Sequence, residues 1–218
     1  YMLEDSEADY LVIHKDLLPI FEGMERHPVP RERVIVVDGA PGYPHDWDAV
    51  EQSGDENFKP PKEATLHDLM NIQYTSGTTG RPKGCMLSNR YYLLAAQWYA
   101  ELGGHVSLKI GCERMVTPLP VNHMNAMAFS VVTMIVTGGC ISLVDRFHPD
   151  GWWPAVREFR ATVIHYLGVM PAMLMKASES DADRDHGVRF GFGAGVNRSL
   201  HEPFEKRFGF PLVEGWSM

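Results

Sequence analysis

Ile72-Gln73-Tyr74-Thr75-Ser76-Gly77-Thr78-Thr79-Gly80-Arg81-Pro82-Lys83-Gly84 is the most informative stretch of this chain. Its first four residues read as a strand, and the nine after them pack hydroxyls, glycines and a lysine into one short loop. Gly77, Gly80 and Gly84 let the backbone take positive φ and come close to a ligand, so that successive N–H groups can face an oxyanion. Thr75, Ser76, Thr78 and Thr79 add hydroxyl donors, and Lys83 adds a mobile point charge. A simple strand-to-helix turn needs only two or three such residues. The loop is not that of P-loop NTPases, which requires glycine where Pro82 stands and Ser or Thr where Gly84 stands. Nor does a G-x-G-x-x-G join a strand to a helix here.

Outward from this loop, strand and helix patterns alternate. Ser88 is expected to cap a helix running to about Leu102 and closed by Gly103-Gly104. Strands are predicted at 115–118, 141–144, 163–166, 189–193 and 211–214, with helices over 124–137, 149–159, 171–177 and 199–208 between them. Upstream, Tyr10 to His14 and the β-branched run Val34 to Val37 read as strands. Asp16 is placed to cap a helix burying Leu17, Ile20, Phe21 and Met24. Residues 39–61 read as surface loop with a short helix near Trp47 to Glu51. Repeated β-then-α order predicts an α/β fold, a mainly parallel sheet flanked by helices. With no internal repeat or low-complexity linker, one compact body is expected.

Composition narrows the function. The 218 residues are 44% hydrophobic and 22% charged with a net charge of −8, and the Lys and Arg residues are scattered. No nucleic-acid or anionic-membrane partner is implied; a small molecule is. Cys85, Cys112 and Cys140 show neither C-x-x-C nor metal-ligand spacing, so a reducing compartment fits and no structural zinc or other metal site is expected. Most of the ten histidines read as surface or capping residues. No apolar run is long enough to span a bilayer, which predicts a cytoplasmic protein without a transmembrane segment.

Tyr74 to Gly84 resembles the signature phosphate loop of the adenylate-forming (AMP-binding) superfamily, which includes acyl-CoA synthetases, luciferases and peptide-synthetase adenylation domains. The resemblance implies that Thr75, Ser76, Gly77, Thr78, Thr79, Gly80 and Lys83 bind the β- and γ-phosphates of ATP. Pro118-Leu119-Pro120-Val121-Asn122-His123 resembles the segment in which an aromatic-His pair lines the acyl pocket, with Asn122 in the aromatic place. It implies a catalytic part for His123 alongside Lys83, the bland reading of His123 being a helix cap. Phe192-Gly193-Ala194-Gly195 resembles the loop on which adenine lies, and Glu214-Gly215-Trp216-Ser217-Met218 the start of an E-G-Y-G-M-T-E motif, with Trp216 stacking on the base. Ser217 departs from that motif's glycine.

The implied activity is that of an ATP-dependent acid–CoA ligase using ATP, Mg²⁺ and CoA. The runs 121–128, 143–146 and 165–177 are most similar to crotonobetaine/carnitine and fatty-acid ligases of bacteria. Met124, Met127, Met170 and Met173 would suit an aliphatic chain or a protein core equally well. By resemblance, residues 1–218 form part of the large N-terminal domain, with an upstream segment and a C-terminal domain absent. Such a piece is expected to lack activity alone and to self-associate. The alternative is a non-catalytic nucleotide-binding or interaction module of the same fold.

Overall fold

The computed structural model describes residues 1–76 and 80–215, and its chain divides into two compact units, Tyr1–Met86 and Leu87–Met218. This corrects the expectation of a single body. The physical reason is that the buried residues of the first unit form a cluster of their own, Leu18, Phe21, Val29, Val34 and Val36.

In the first unit, α1 (Met2–Asp5) precedes β1 (Leu11–His14), α2 (Leu18–Glu22), β2 (Val34–Val37), β3 (His45–Asp46) and α3 (Trp47–Gln52). The three strands form a parallel sheet with β2 in the middle. Val34 and Val36 point into the core, as the alternation of a strand requires. The Asp46 carboxylate accepts from the N–H groups of Asp48 and Ala49 and so caps α3. The helix α2 differs in part from expectation. Leu18 and Phe21 are the buried pair, while Leu17, Ile20 and Met24 are exposed. Phe21 is buried as expected, and Leu18 rather than Leu17 joins it against Val34 and Val36 of β2. Asp16 does not cap α2: Leu17 holds its N-cap position without a side-chain bond, and His14 caps the 3-10 turn Lys15–Leu17 before it, its Nδ1 accepting from Asp16 N–H at 3.3 Å.

β4 (Leu69–Thr75) then pairs with β5 (Lys83–Ser88) as a separate two-stranded sheet. A strand therefore comes directly after the glycine loop, where a helix was expected. The helix α4 (Asn89–Glu101) comes next, with Ser88 at its N-cap position.

The second unit continues with β6 (Arg114–Thr117), a π-helical segment (Asn125–Val132) that runs into α5 (Thr133–Thr137), and β7 (Cys140–Leu143). After these come α6 (Pro149–Glu158), β8 (Val163–Leu167), α7 (Val169–Leu174), β9 (Phe190–Ala194), α8 (Arg198–Phe208) and β10 (Leu212–Glu214). The five strands form a parallel sheet in the order β10-β9-β8-β6-β7. Successive residues of each strand face opposite layers. Val116, Ile164, Tyr166 and Leu212 pack against α6, α7 and α8. Met115, Val163, Phe190 and Phe192 pack against Tyr99 of α4 and Met134 of α5. The α/β character and parallel sheet flanked by helices match the expectation.

Polar burial marks the edge where strands begin. The buried Glu113 accepts from Lys109 N–H (2.6 Å) and Thr162 Oγ1 (2.5 Å), and pairs with Arg189. Those residues stand just before β6, β8 and β9, so the carboxylate ties three strand starts together. Arg207 does similar work beside α8. Its Nε meets Asp183 at 2.6 Å while its other donors reach the carbonyls of Met175, Ala177 and Ser178. Burial pushes the Asp183 carboxyl up, but its bonds to Arg207 and to Ser180 N–H more than offset this and leave it below its ordinary value.

Candidate functional site

The first unit carries the loop of glycines and hydroxyls after β4. Thr75 closes β4, Lys83 opens β5, and Thr75, Ser76, Gly80 and Lys83 are all exposed. Gly80 has φ +125, a backbone region that side-chain-bearing residues avoid. Gly84 has a steric reason as well, because a Cβ there would lie 2.7 Å from Ile72 Cγ2 and 3.3 Å from the Tyr74 ring. Behind the loop, the Tyr74 hydroxyl donates to the Asp5 carboxylate at 2.8 Å. Partial burial and the adjacent carboxylate raise the Tyr74 phenol above its ordinary value. The Tyr1 hydroxyl donates to Pro82 O at 3.0 Å, and the Arg81 guanidinium lies 5.4 Å from the Tyr1 ring centre. Among the described residues Lys83 makes no ion pair. Gly77, Thr78 and Thr79 lie outside the described residues.

In the second unit, Gly193, Ala194, Gly195, Glu214 and Gly215 come together at the C-terminal ends of β9 and β10. Gly215 N–H donates to Gly193 O at 2.8 Å, and Gly168 N–H, at the end of β8, donates to Ala194 O at 2.8 Å. The Glu214 carboxylate accepts from Val196 N–H at 2.6 Å, which fixes the turn after β9. Its other oxygen stands 3.9 Å from His201 Nε2. Trp216, the expected stacking ring, lies outside the described residues, as do Ser217 and Met218.

The glycines explain how closely this edge is built. A Cβ on Gly193 would sit 2.2 Å from Tyr166 O and within 2.7 Å of its ring, and one on Gly168 would sit 1.8 Å from Gly195 O. Gly193 is buried behind Tyr166 while Gly195, with φ +84, is exposed. The result, among the described residues, is a shelf of closely packed main chain whose outer part, at Gly195, is exposed. Tyr166 itself donates to Val213 O at 3.1 Å, and burial raises its phenol well above the ordinary range.

His123 stands in the loop after β6, on this same edge of the sheet. The chain leaves β6 for β7 on one side and returns to β8 on the other, so the crossing lies between β6 and β8, the place where open α/β sheets bind ligands. The His123 ring is exposed, and its Nδ1 accepts from Asn125 N–H at 3.3 Å, at the start of the π-helical segment. Met170 is core, and Met124 and Met127 pack against the cluster of Tyr92, Ala96, Ala128 and Val132. Sequence reading missed Gly168 and Tyr166, although a lone glycine between strand and helix was a usable signal for the first.

The model of the AMP-binding enzyme family matches residues 1–218. The chain belongs to the AMP-binding enzyme family. Among its curated relatives is a very long-chain fatty acid transport protein of Cochliobolus heterostrophus, 32% identical over 68% of this chain and 22% of that protein. A medium/long-chain-fatty-acid–CoA ligase of Mycobacterium tuberculosis is 32% identical over 64% of this chain and 23% of its own length. The chain thus spans about a fifth of the length of the curated relatives it matches. Among solved structures, the inhibitor-bound N-terminal domain of FACL13 from M. tuberculosis superposes with a TM-score of 0.82 at 19% identity, over 100% of this chain and 52% of that one. The anthranilate CoA ligase AuaEII gives 0.82 at 19% identity, over 99% and 42%. At that identity the likeness is one of fold, and it places this AMP-binding chain within the N-terminal domain architecture of acyl-CoA ligases. Among the described residues no helix is long and apolar enough to cross a membrane.

Proposed function

We propose that the whole protein is an ATP-dependent acid–CoA ligase acting on a fatty acid. The observation that carries this reading is the family match over all 218 residues, joined to a loop of hydroxyls, glycines and Lys83. In the first half-reaction a substrate carboxylate oxygen attacks the α-phosphorus of ATP; the bond to the β-phosphate breaks and pyrophosphate leaves. In the second, the CoA thiol loses its proton and attacks the acyl carbonyl, and AMP leaves with the bonding electrons.

In this reading Thr75, Ser76, Gly77, Thr78, Thr79, Gly80 and Lys83 hold the departing phosphates. Gly193, Ala194, Gly195, Glu214 and Gly215 support adenine, Trp216 stacks on it, and His123 lines the acyl pocket. The aliphatic class of acid is supported by the relatives named for fatty acids. Among the described residues no cluster of three His, Cys, Asp or Glu is arranged for a metal.

Pyrophosphate release by the intact protein, with ATP and a panel of acids, tests the reading. Release is expected to depend on the acid and to favour aliphatic chains. Lys83→Ala is expected to slow it at least tenfold, since losing one preorganised donor to a developing phosphate charge costs roughly 2.7–4 kcal/mol. No release with any acid, or an unaltered rate in Lys83→Ala, would count against it.

A further inference from the structure

His165, halfway along β8, is fully buried, and both of its ring nitrogens are engaged. Nε2 lies 3.0 Å from Tyr99 Oη on α4, and Nδ1 lies 2.8 Å from Ser130 Oγ in the π-helical segment. Its register partner on β9, Phe192, closes a third side with ring centres 5.5 Å apart, and Tyr99 stacks on Phe192 at 4.6 Å. A neutral imidazole offers one donor and one acceptor, and a hydroxyl can play either part, so both bonds are satisfied in either tautomer. An apolar side chain would fill the volume. Only a two-ended polar one can bind two helices in specified directions.

The placement of the two ends gives the bridge its meaning. Ser130 belongs to the segment Asn125–Val132, whose wide turns are an uncommon helical form. They are supported at their end by Thr133 Oγ1, which donates to Ala128 O five residues back at 3.0 Å. Relaxing one such turn to ordinary α-helical pairing would displace the chain before it by about a residue, His123 included. At the other end, β8 runs on from His165 to Leu167 and Gly168, which bonds Ala194 O.

We propose that His165 is a positioning residue whose bridge to Ser130 and Tyr99 keeps the π-helical segment in register on β8 and so sets the place of His123 relative to the Ala194–Gly195 edge. The value of that placement to catalysis rests on the function proposed above; the bridge itself does not.

Hydrogen–deuterium exchange of the intact protein, with KM measured separately for acid and ATP, tests this in Ser130→Ala, His165→Leu and His165→Gln. Ser130→Ala and His165→Leu are expected to speed exchange over residues 123–132 by about tenfold or more and over residues 198–208 by under about twofold, and to raise the KM for the acid severalfold with that for ATP unchanged. His165→Gln keeps a donor and an acceptor and is expected to restore both readouts most of the way. Unaltered exchange over 123–132 in Ser130→Ala, equal loosening of both regions, or a glutamine variant no better than the leucine one would overturn the proposal. Should His165→Leu fail to fold, Ser130→Ala, which deletes one hydroxyl, decides. Changed exchange with an unchanged acid KM would overturn the positioning role and leave the ligase reading standing. Wild-type protein without any ligase activity would overturn that reading, with exchange still deciding the bridge.

Discussion

The glycine-rich loop after β4 and the strand-end shelf of the second unit both depend on glycine, for opposite reasons. Of the loop after β4, Ser76, Gly80, Arg81 and Lys83 are exposed, and its character is written in residue chemistry: hydroxyls, a lysine, and a glycine at φ +125 with no described atom within 4 Å of its absent Cβ. The shelf at the ends of β8, β9 and β10 is written in spacing, Gly168 and Gly193 standing where neighbouring main chain leaves no room for a Cβ. Chemistry of the first kind works through local backbone. The second kind exists only once a sheet has formed behind it, so anything that loosens the sheet is expected to erase the shelf.

Acid should produce the largest effect on that sheet. Burial pushes the His165 imidazole down to about 3 from an ordinary 6.5, because a charged ring would sit desolvated between two neutral hydroxyls and Phe192. The unfolded chain then takes up a proton near pH 6.5 that the folded chain refuses until about pH 3. Stability from this residue is therefore complete above pH 6.5 and falls as the pH drops toward 3, by up to several kcal/mol. Urea titrations of wild type and His165→Gln at about pH 7 and about pH 4.5, on either side of the ordinary histidine value, check this. The wild type is expected to lose more stability on acidification than the variant, and parallel losses would refute it.

Next in size come the glycines, which separate the two regions most sharply. Gly168→Ala drives a Cβ into the backbone of Gly195, and overpacking of that kind costs about 1–3 kcal/mol or more. Gly80→Ala meets only an unfavourable φ and is expected to cost about 1 kcal/mol. Equal denaturation midpoints for the two variants would dissolve the distinction between spacing and chemistry.

The same distinction explains which features are legible from residues alone. The β-then-α order from Met115 onward is, since continuous apolar runs such as Val163-Ile164 announce buried parallel strands. β5 is not, because Lys83-Gly84-Cys85-Met86 has no strand pattern and becomes a strand by pairing with β4. The α2 face misleads because Leu17, Ile20 and Met24 have the same period as Leu18 and Phe21, and only the position of β2 chooses between them. His165 is hidden inside an apolar strand, since no local feature says that Tyr99 and Ser130 will meet it from two different helices. Spacing between distant glycines is equally silent, which is why Gly168 escapes notice while Gly193 to Gly195 do not.

Whether loop and shelf are both nucleotide-contact surfaces is open to one direct measurement: hydrogen–deuterium exchange of the intact protein with and without ATP and Mg²⁺. Slower exchange is expected over residues 74–84 and again over residues 193–196, with residues 34–37 unchanged. Protection of neither segment at saturating ATP, or protection confined to residues outside both, would contradict the account.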